Sequence, residues 1–188
     1  MPALVAPQSR YHASFLEAVD EFSAAQGEGS SVAGLGVLAA VGEFPGEFFT
    51  AEELRQEQIF ATYLDRLHEV SLPETPLPFE IVPATTLWWV GGDTYLGRLS
   101  IRHTLNQWLL DFGGHIGYAV RPSARGRGHA TAMLGAALPC AHGLGIDPVL
   151  VTCDETNAAS RRVIEVNGGV LEDQRGEKLR YWIPTAPR

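Results

Sequence analysis

A loop rich in arginine and glycine carries the clearest chemistry in the sequence. The segment VRPSARGRGHATAML covers residues 120–134, where a predicted strand ends and a predicted helix begins. Glycines in such a loop let successive backbone N–H groups point at one spot, and the helix N-terminus adds partial positive charge there. Because Arg125 and Arg127 flank this spot, the segment predicts a pyrophosphate-binding loop. The alternative is a basic turn that is simply exposed to solvent.

Neither of two common nucleotide-binding patterns fits this loop. No Gly-Lys-Ser/Thr follows it, and Thr131 stands where the dinucleotide fingerprint has its third glycine. The net charge is −8, and residues 1–90 alone hold thirteen acidic and three basic side chains. A nucleic-acid binder needs a broad basic face, so this charge argues against one. The basic residues near the loop suit a compact anionic ligand better.

Length and composition indicate one folded domain of a cytoplasmic protein. The chain has 188 residues, of which 45% are hydrophobic and 19% are charged, which is enough to fill a core. The sequence contains neither the long apolar run of a membrane span nor the basic start of a secretory signal. Cys140 and Cys153 are too few for a disulfide scaffold, and we interpret both as buried thiols.

Helical spacing of apolar residues predicts two N-terminal helices, over residues 11–26 and over residues 51–70 after Thr50 as N-cap. Glycine, serine and alanine indicate an irregular loop over residues 27–50. Three prolines after the second helix indicate a linker. This part of the chain is therefore helical, and it ends near residue 78.

The second half alternates strands and helices. β-branched and aromatic runs on both sides of Gly91-Gly92-Asp93 predict a hairpin, and the strand GGHIGYAV leads into the arginine–glycine loop. An amphipathic helix is predicted over residues 129–142, with a kink at Pro139. The strand PVLVTC, a helix over residues 158–166 with Asn157 as its N-cap, and the strands VLEDQ and KLRYWIP follow. The predicted fold is α/β, one domain over residues 1–188 with a helical part at 1–78 and a core with a mixed central sheet at 79–188.

The loop and its surroundings resemble a known family. Arg125-x-x-Gly128-x-Ala130 is similar to the acyl-CoA pyrophosphate signature of the GNAT acetyltransferase superfamily, and NAASRRVIEVNGG follows at the matching place. Together with LSIRHTLN, GGHIGY and RYWI, these motifs resemble a bacterial subgroup of predicted acetyltransferases over residues 80–184. The resemblance implies the GNAT fold, acetyl-CoA as acetyl donor, and backbone contacts to pantetheine from Ala119 and Val120. It also implies an Asn157 contact to the pantetheine arm and pyrophosphate contacts from Arg125, Gly126, Arg127, Gly128, His129 and Ala130.

The catalytic residues are less firmly implied. Many family members have a tyrosine seven residues after the asparagine, where this sequence has Ile164, so Ser160 is the candidate acid for the leaving thiolate. Its alternative role is packing or capping. His115 stands where some members place a base, and its ordinary pKa of about 6.5 suits that task. A structural, hydrogen-bonded histidine is the alternative.

The implied function is direct transfer of an acetyl group from acetyl-CoA to an amine of a small molecule or peptide. We expect acceptor contacts from three residues near the end of the second hairpin strand, His103, Asn106 and Trp108. Transfer to a hydroxyl, transfer of a longer acyl chain, and binding of acyl-CoA without turnover are the alternatives. No metal, nucleic acid or membrane is expected to take part, and a homodimer is left open.

Overall fold

The computed structural model describes residues 1–26, 49–77 and 81–186, and within these ranges seven strands form two antiparallel sheets. Four strands make the first sheet, in the order β1-β2-β3-β4, and three make the second, in the order β5-β7-β6. The strands are β1 (Ala3–Val5), β2 (Ala84–Gly91), β3 (Thr94–Arg102), β4 (Ile116–Val120), β5 (Val149–Asp154), β6 (Val170–Arg175) and β7 (Lys178–Ile183). The helices are α1 (His12–Gln26), α2 (Glu57–Glu69), α3 (His129–Gly143) and α4 (Ala158–Val166).

The first sheet is covered on both faces, and the β2–β3 hairpin shows why. Successive side chains of a strand point to opposite faces, so Trp88 packs with α1 and α2 while Trp89 packs with α3 and the second sheet. Phe15 of α1 stacks on Trp88 with ring centroids 5.2 Å apart. The predicted turn at Gly92 has φ +59°, a conformation that favours glycine.

A buried ion pair ties α1 to the end of β4. The Arg121 guanidinium donates to the Glu21 carboxylate at 2.5 Å and lies 3.4 Å from Glu17. The same Glu21 carboxylate accepts from the backbone N–H and the hydroxyl of Ser123. Burial raises the pKa of Glu21, but the hydrogen bonds from Arg121 and Ser123 outweigh it, so the pKa lies below its ordinary value. The carboxylate that anchors α1 is thus ionised at neutral pH.

Most predicted elements are confirmed, and two differ. β1 was not predicted, because three residues carry too short a pattern. The predicted helix over 51–70 is broken at Gln56, whose backbone is extended; Thr50 and Glu53 cap each other's backbone in a separate short turn. α3 continues past Pro139 to Gly143, and the kink expected at Pro139 stays a prediction. One of the two thiols also differs, since Cys140 is exposed rather than buried, whereas Cys153 is buried as predicted.

The α/β fold class is confirmed, but the predicted sheet is divided into two where β4 and β5 lie side by side. The irregular loop predicted over 27–50 lies almost wholly outside the described residues. Among the helices that the structure describes, none is both long and apolar enough to cross a membrane.

Candidate active site

Hydrogen bonds join β4 and β5 at their beginnings. The His115 N–H donates to the Leu150 carbonyl at 2.7 Å, and a Cβ on Gly114 would lie 2.6 Å from that same oxygen. Gly114 also has φ +67°, so both the close approach and the backbone conformation require glycine here. Beyond this contact the two strands belong to separate sheets in the described part of the chain. The structure therefore has a split between β4 and β5 that begins at Leu150.

The hydrogen bonds between β3 and β4 determine which edge of β4 faces the split. Arg102 N–H donates to the His115 carbonyl at 2.8 Å, and Arg121 N–H donates to the Leu96 carbonyl at 2.9 Å. In an antiparallel pair, every second residue exchanges hydrogen bonds with the partner strand. The odd-numbered residues of β4 therefore direct their backbone groups to β3, and the even-numbered residues direct theirs to the split.

The alternating direction of the backbone groups along β4 changes which residues we expect to contact the pantetheine arm. Ala119 lies opposite Arg98 and uses its backbone groups within the sheet, so the register favours Tyr118 and Val120 over Ala119 for backbone contacts to a ligand in the split. The Val120 carbonyl already accepts from Arg125 Nε at 3.2 Å. Two backbone N–H groups, those of Tyr118 and Val120, thus face the place where the resemblance puts the pantetheine arm.

The arginine–glycine loop directly follows this edge. Gly126 has φ +75° and Gly128 has φ +78°, and Gly128 is the N-cap of α3 without any side-chain cap. The first N–H groups of a helix have no partner within the helix, so the N–H groups of His129 and Ala130 are available to a ligand. Arg125, Gly126, Arg127 and Gly128 are all exposed. An uncapped helix start beside two exposed arginines fits an anionic group.

Neighbouring side chains hold the loop in place. The Trp89 indole N–H donates to His129 Nδ1 at 3.2 Å, which fixes the start of α3 on β2. The Arg125 guanidinium lies over the Phe22 ring of α1, 5.8 Å from its centroid. Arg121 and Arg161 are paired with carboxylates, Glu21 and Glu165. Arg125 and Arg127 form no salt bridge within the described residues, so they offer positive charge to a ligand at the loop.

α4 begins at the other side of the split. Asn157 Oδ1 accepts from the Ser160 backbone N–H at 3.0 Å, which confirms the predicted N-cap. Asn167, at the other end of α4, donates to the Thr131 carbonyl of α3 at 3.2 Å, and a Cβ on Gly135 would lie 2.9 Å from its Oδ1. The absence of a side chain at Gly135 lets the two helices approach closely.

A pair of hydroxyl groups bridges the split. Tyr118 of β4 and Ser160 of α4 lie with their oxygens 2.8 Å apart, and both residues are half-buried. Burial raises the pKa of Tyr118 to about 12, so its phenol is protonated at neutral pH. Ile164, where a tyrosine would resemble the family more closely, is fully buried in the core. No local pattern in the sequence marks Tyr118 for this role, because its partner is forty-two residues away.

His115 has a structural position. Its Nδ1 accepts from the Leu150 N–H at 2.8 Å, so side chain and backbone together hold the start of β4 to β5. Burial, aided by the positive charge of Arg102, lowers the pKa of His115 to about 4. An imidazole that is buried, neutral and already accepting a hydrogen bond is a poor base at neutral pH. The placement favours the structural alternative for His115.

The three expected acceptor residues lie near the β3–β4 connection. His103 Nε2 is 2.8 Å from the Thr85 hydroxyl, and burial lowers the pKa of His103. Asn106 Oδ1 accepts from the N–H of Leu109, the first residue of a π-helical turn over Leu109–Gly113, at 2.9 Å. Trp108 is 62% exposed. None of these contacts involves Tyr118 or Ser160, so the roles of these residues stay predictions.

A family model described as "Acetyltransferase (GNAT) domain" matches residues 48–170 of the sequence. The chain belongs to the GNAT acetyltransferase family. No curated protein matches the sequence significantly. In the described residues, no group of three or more histidine, cysteine or acidic side chains could hold a metal ion.

Solved GNAT structures share the fold along nearly the whole chain. Mycobacterium smegmatis RimJ, solved with CoA-disulfide, is 17% identical, with 97% of this chain and 81% of that chain covered and a TM-score of 0.60. The microcin C7 self-immunity acetyltransferase MccE, solved with acetyl-CoA and AMP, is 14% identical. The match covers 97% of this chain and 92% of that chain, with a TM-score of 0.57. A Salmonella typhimurium acetyl transferase that modifies the N-terminal serine of ribosomal protein L7/L12 is 17% identical. The match covers 97% of this chain and 94% of that chain, with a TM-score of 0.55. At these identities the likeness is evidence for the fold.

The loop makes a specific prediction about coenzyme A. Gly128→Glu should abolish binding of coenzyme A in isothermal titration calorimetry, because a carboxylate would stand at the helix start and repel the pyrophosphate. Gly145→Glu is the matched control, since Gly145 has the same φ of +78° and the same open surroundings at the far end of α3. Equal affinity in the two variants would show that the loop does not bind the pyrophosphate.

His115 makes a prediction about pH and stability. Its native pKa of about 4 lies below its ordinary value of 6.5. Between these values the unfolded chain takes up a proton that the native protein does not, so lowering the pH favours unfolding, by on the order of 3 kcal/mol at pH 4. His115→Asn keeps an acceptor near Leu150 N–H but cannot titrate, so it should lose less stability than wild type between pH 7 and 4.5 in urea unfolding. The same loss in both proteins would contradict the structural role.

Proposed function

We propose that this protein transfers an acetyl group from acetyl-CoA directly to an amine of a small molecule or peptide. The observation that carries the proposal is the order in which three features follow one another in the structure. An uncapped helix start between exposed arginines is followed by the free edge of β4 and then by the Tyr118–Ser160 hydroxyl pair. These features match in order the pyrophosphate, the pantetheine arm and the thioester of an acyl-CoA. The whole chain, residues 1–188, serves as one domain in this proposal, since β1 pairs with β2 and α1 packs on β3.

Acetyl-CoA supplies an activated thioester, in which an amine replaces the thiolate at the carbonyl carbon. The N–H groups of residues 125–130 would hold the pyrophosphate, and Asn157 is retained as a contact to the pantetheine arm. A backbone N–H of Tyr118 or Val120 would face the carbonyl oxygen, where negative charge grows during the reaction. These N–H groups are fixed by the sheet, so they need no rearrangement as the charge develops.

Tyr118 and Ser160 together would return a proton to the leaving thiolate. Ser160 would pass its proton to the sulfur and take the proton of Tyr118, whose phenol is protonated at neutral pH, and Tyr118 would then regain a proton from water. The pair thus supplies a hydroxyl that Ile164 cannot. With His115 in a structural position, His103 is the remaining candidate for the base, since it is half-buried whereas His115 is buried.

The test of the function is turnover. Purified protein is incubated with acetyl-CoA and a panel of primary amines, amino acids and short peptides, and both free thiol and acetylated product are measured. Acetylated amine in equal amount to released coenzyme A is the expected result. Coenzyme A binding without release would favour a binding module, and an acetylated hydroxyl would favour O-transfer. The N-terminal serine of the Salmonella relative's substrate suggests including serine-terminated peptides.

The hydroxyl pair predicts a coupled loss of rate. Tyr118→Phe and Ser160→Ala should each lower kcat by roughly 10²-fold, and the double variant should be no slower than either single variant, because the two groups act as one unit. Coenzyme A affinity should stay within a few-fold of wild type. Tyr181→Phe is the control, because Tyr181 is also a buried phenol of the same core but has no hydrogen-bond partner. Additive losses, or an equal loss in Tyr181→Phe, would contradict the relay.

A further inference from the structure

One buried arginine differs from the others. Of the arginines that the structure describes, Arg98, Arg121 and Arg180 are buried, at 7%, 7% and 1% exposure. Arg121 pairs with Glu21 and Glu17, and Arg180 pairs with acidic residues of β6. No carboxylate within the described ranges lies within 4.0 Å of Arg98, and its Nη1 has no hydrogen-bond partner. A guanidinium stays charged in proteins, so this charge is buried without compensation.

Two more buried polar atoms near Arg98 lack partners, the hydroxyl of Tyr95 and the indole nitrogen of Trp88. The Tyr63 hydroxyl is buried beside them without a well-formed hydrogen bond, and Arg98 is the group that interacts with it. Trp88 lies directly opposite Arg98 in the β2–β3 ladder, and the Trp88 and Tyr95 rings are 5.3 Å apart. Burial raises the pKa of both phenols, to about 12 for Tyr63, while the charge of Arg98 acts against that rise. We call these four side chains the Arg98 cluster.

The positive charge of the cluster determines which partner is missing. A guanidinium and an indole N–H can only donate hydrogen bonds, whereas a phenol can donate or accept. The phenol oxygens can accept from these donors but cannot neutralise Arg98, so the missing partner is an anion. An ionised carboxylate has two oxygens with about four acceptor positions for the guanidinium and indole N–H groups. Its planar shape also fits the fork of a guanidinium better than a spherical halide does.

We propose that the Arg98 cluster is a binding site for a compact carboxylate. Two sources can supply that group. One is a free small carboxylate, and the other is the carboxylate of an acceptor such as an amino acid. The second source rests on the proposed transfer reaction, because Arg98 lies opposite Ala119 in the ladder, one strand from the free edge of β4.

The first experiment measures the melting temperature of the whole protein without acetyl-CoA. Sodium formate or acetate should raise Tm by about 5–10 °C at a concentration about 100 times its Kd, relative to sodium chloride at the same ionic strength. Arg98→Met should lose this response. Arg162→Met, which removes an exposed arginine of α4, should respond like wild type. An equal Tm in carboxylate and chloride would overturn the proposal.

Tyr95→Phe keeps the experiment decisive if Arg98→Met does not fold. Removing an unpaired buried hydroxyl should leave Tm unchanged or higher when no carboxylate is present. It should also reduce the carboxylate-induced rise, because one donor of the site is gone. A purely structural tyrosine would not give this combination. A full carboxylate response in Tyr95→Phe would remove Tyr95 from the site and contradict the proposed cluster.

The second experiment distinguishes the two sources. An amino acid and its amide are compared as acceptors in the turnover assay with wild type and with Arg98→Lys. If wild type has a higher kcat/KM for the amino acid than for its amide and Arg98→Lys loses this preference, the bound carboxylate is that of the acceptor. If wild type shows no such preference but its Tm still rises with carboxylate, the bound group is a free carboxylate. If the protein turns over no acceptor, the proposed function fails while the Tm response still tests the site. Loss of both the preference and the Tm response overturns the proposal.

Discussion

The contact between His115 and Leu150 determines where β4 and β5 separate, and the geometry of the candidate site depends on that separation. Two hydrogen bonds, one from the His115 N–H and one to its imidazole, hold the starts of β4 and β5 together. Because strand pairing between the two sheets is absent past this point in the described residues, the free edge of β4 exists only as a consequence of where the contact stops. A histidine suits this position because Nδ1 accepts a backbone proton that a separating strand would otherwise leave without a partner.

The acidic N-terminal half has a structural part in the site. Glu21 of α1 neutralises Arg121 and also holds Ser123 at the start of the loop. Phe22, one residue further, supports Arg125. The excess of negative charge in residues 1–90 thus does not simply repel an anionic ligand, because one of its carboxylates fixes the end of β4 from which the loop leaves. Net charge by halves is a poor guide to the field at such a place.

The features that the sequence predicted correctly depend on short-range sequence patterns. The hairpin, α3 and the Asn157 cap depend on residues within a few positions of each other, and all are found as the sequence indicated. The pairing of Tyr118 with Ser160, the separation of the sheets and the burial of His115 depend on contacts between distant segments. Residue types alone did not reveal them. The ordinary pKa of a free imidazole suits a base, but burial lowers the pKa of His115, and burial cannot be deduced from the residue type.

The bond between Asn167 and Thr131 has a consequence for cooperativity. It joins the residue that follows α4 to the first turn of α3, and Gly135 leaves room for the Asn167 side chain. Local opening of either helix would break this shared contact, so α3 and α4 should exchange their amide protons as a single cooperative unit. The loop at the start of α3 and the hydroxyl on α4 would then be formed or lost in the same event. Partly opened molecules that keep one of the two features without the other would be rare in the native ensemble.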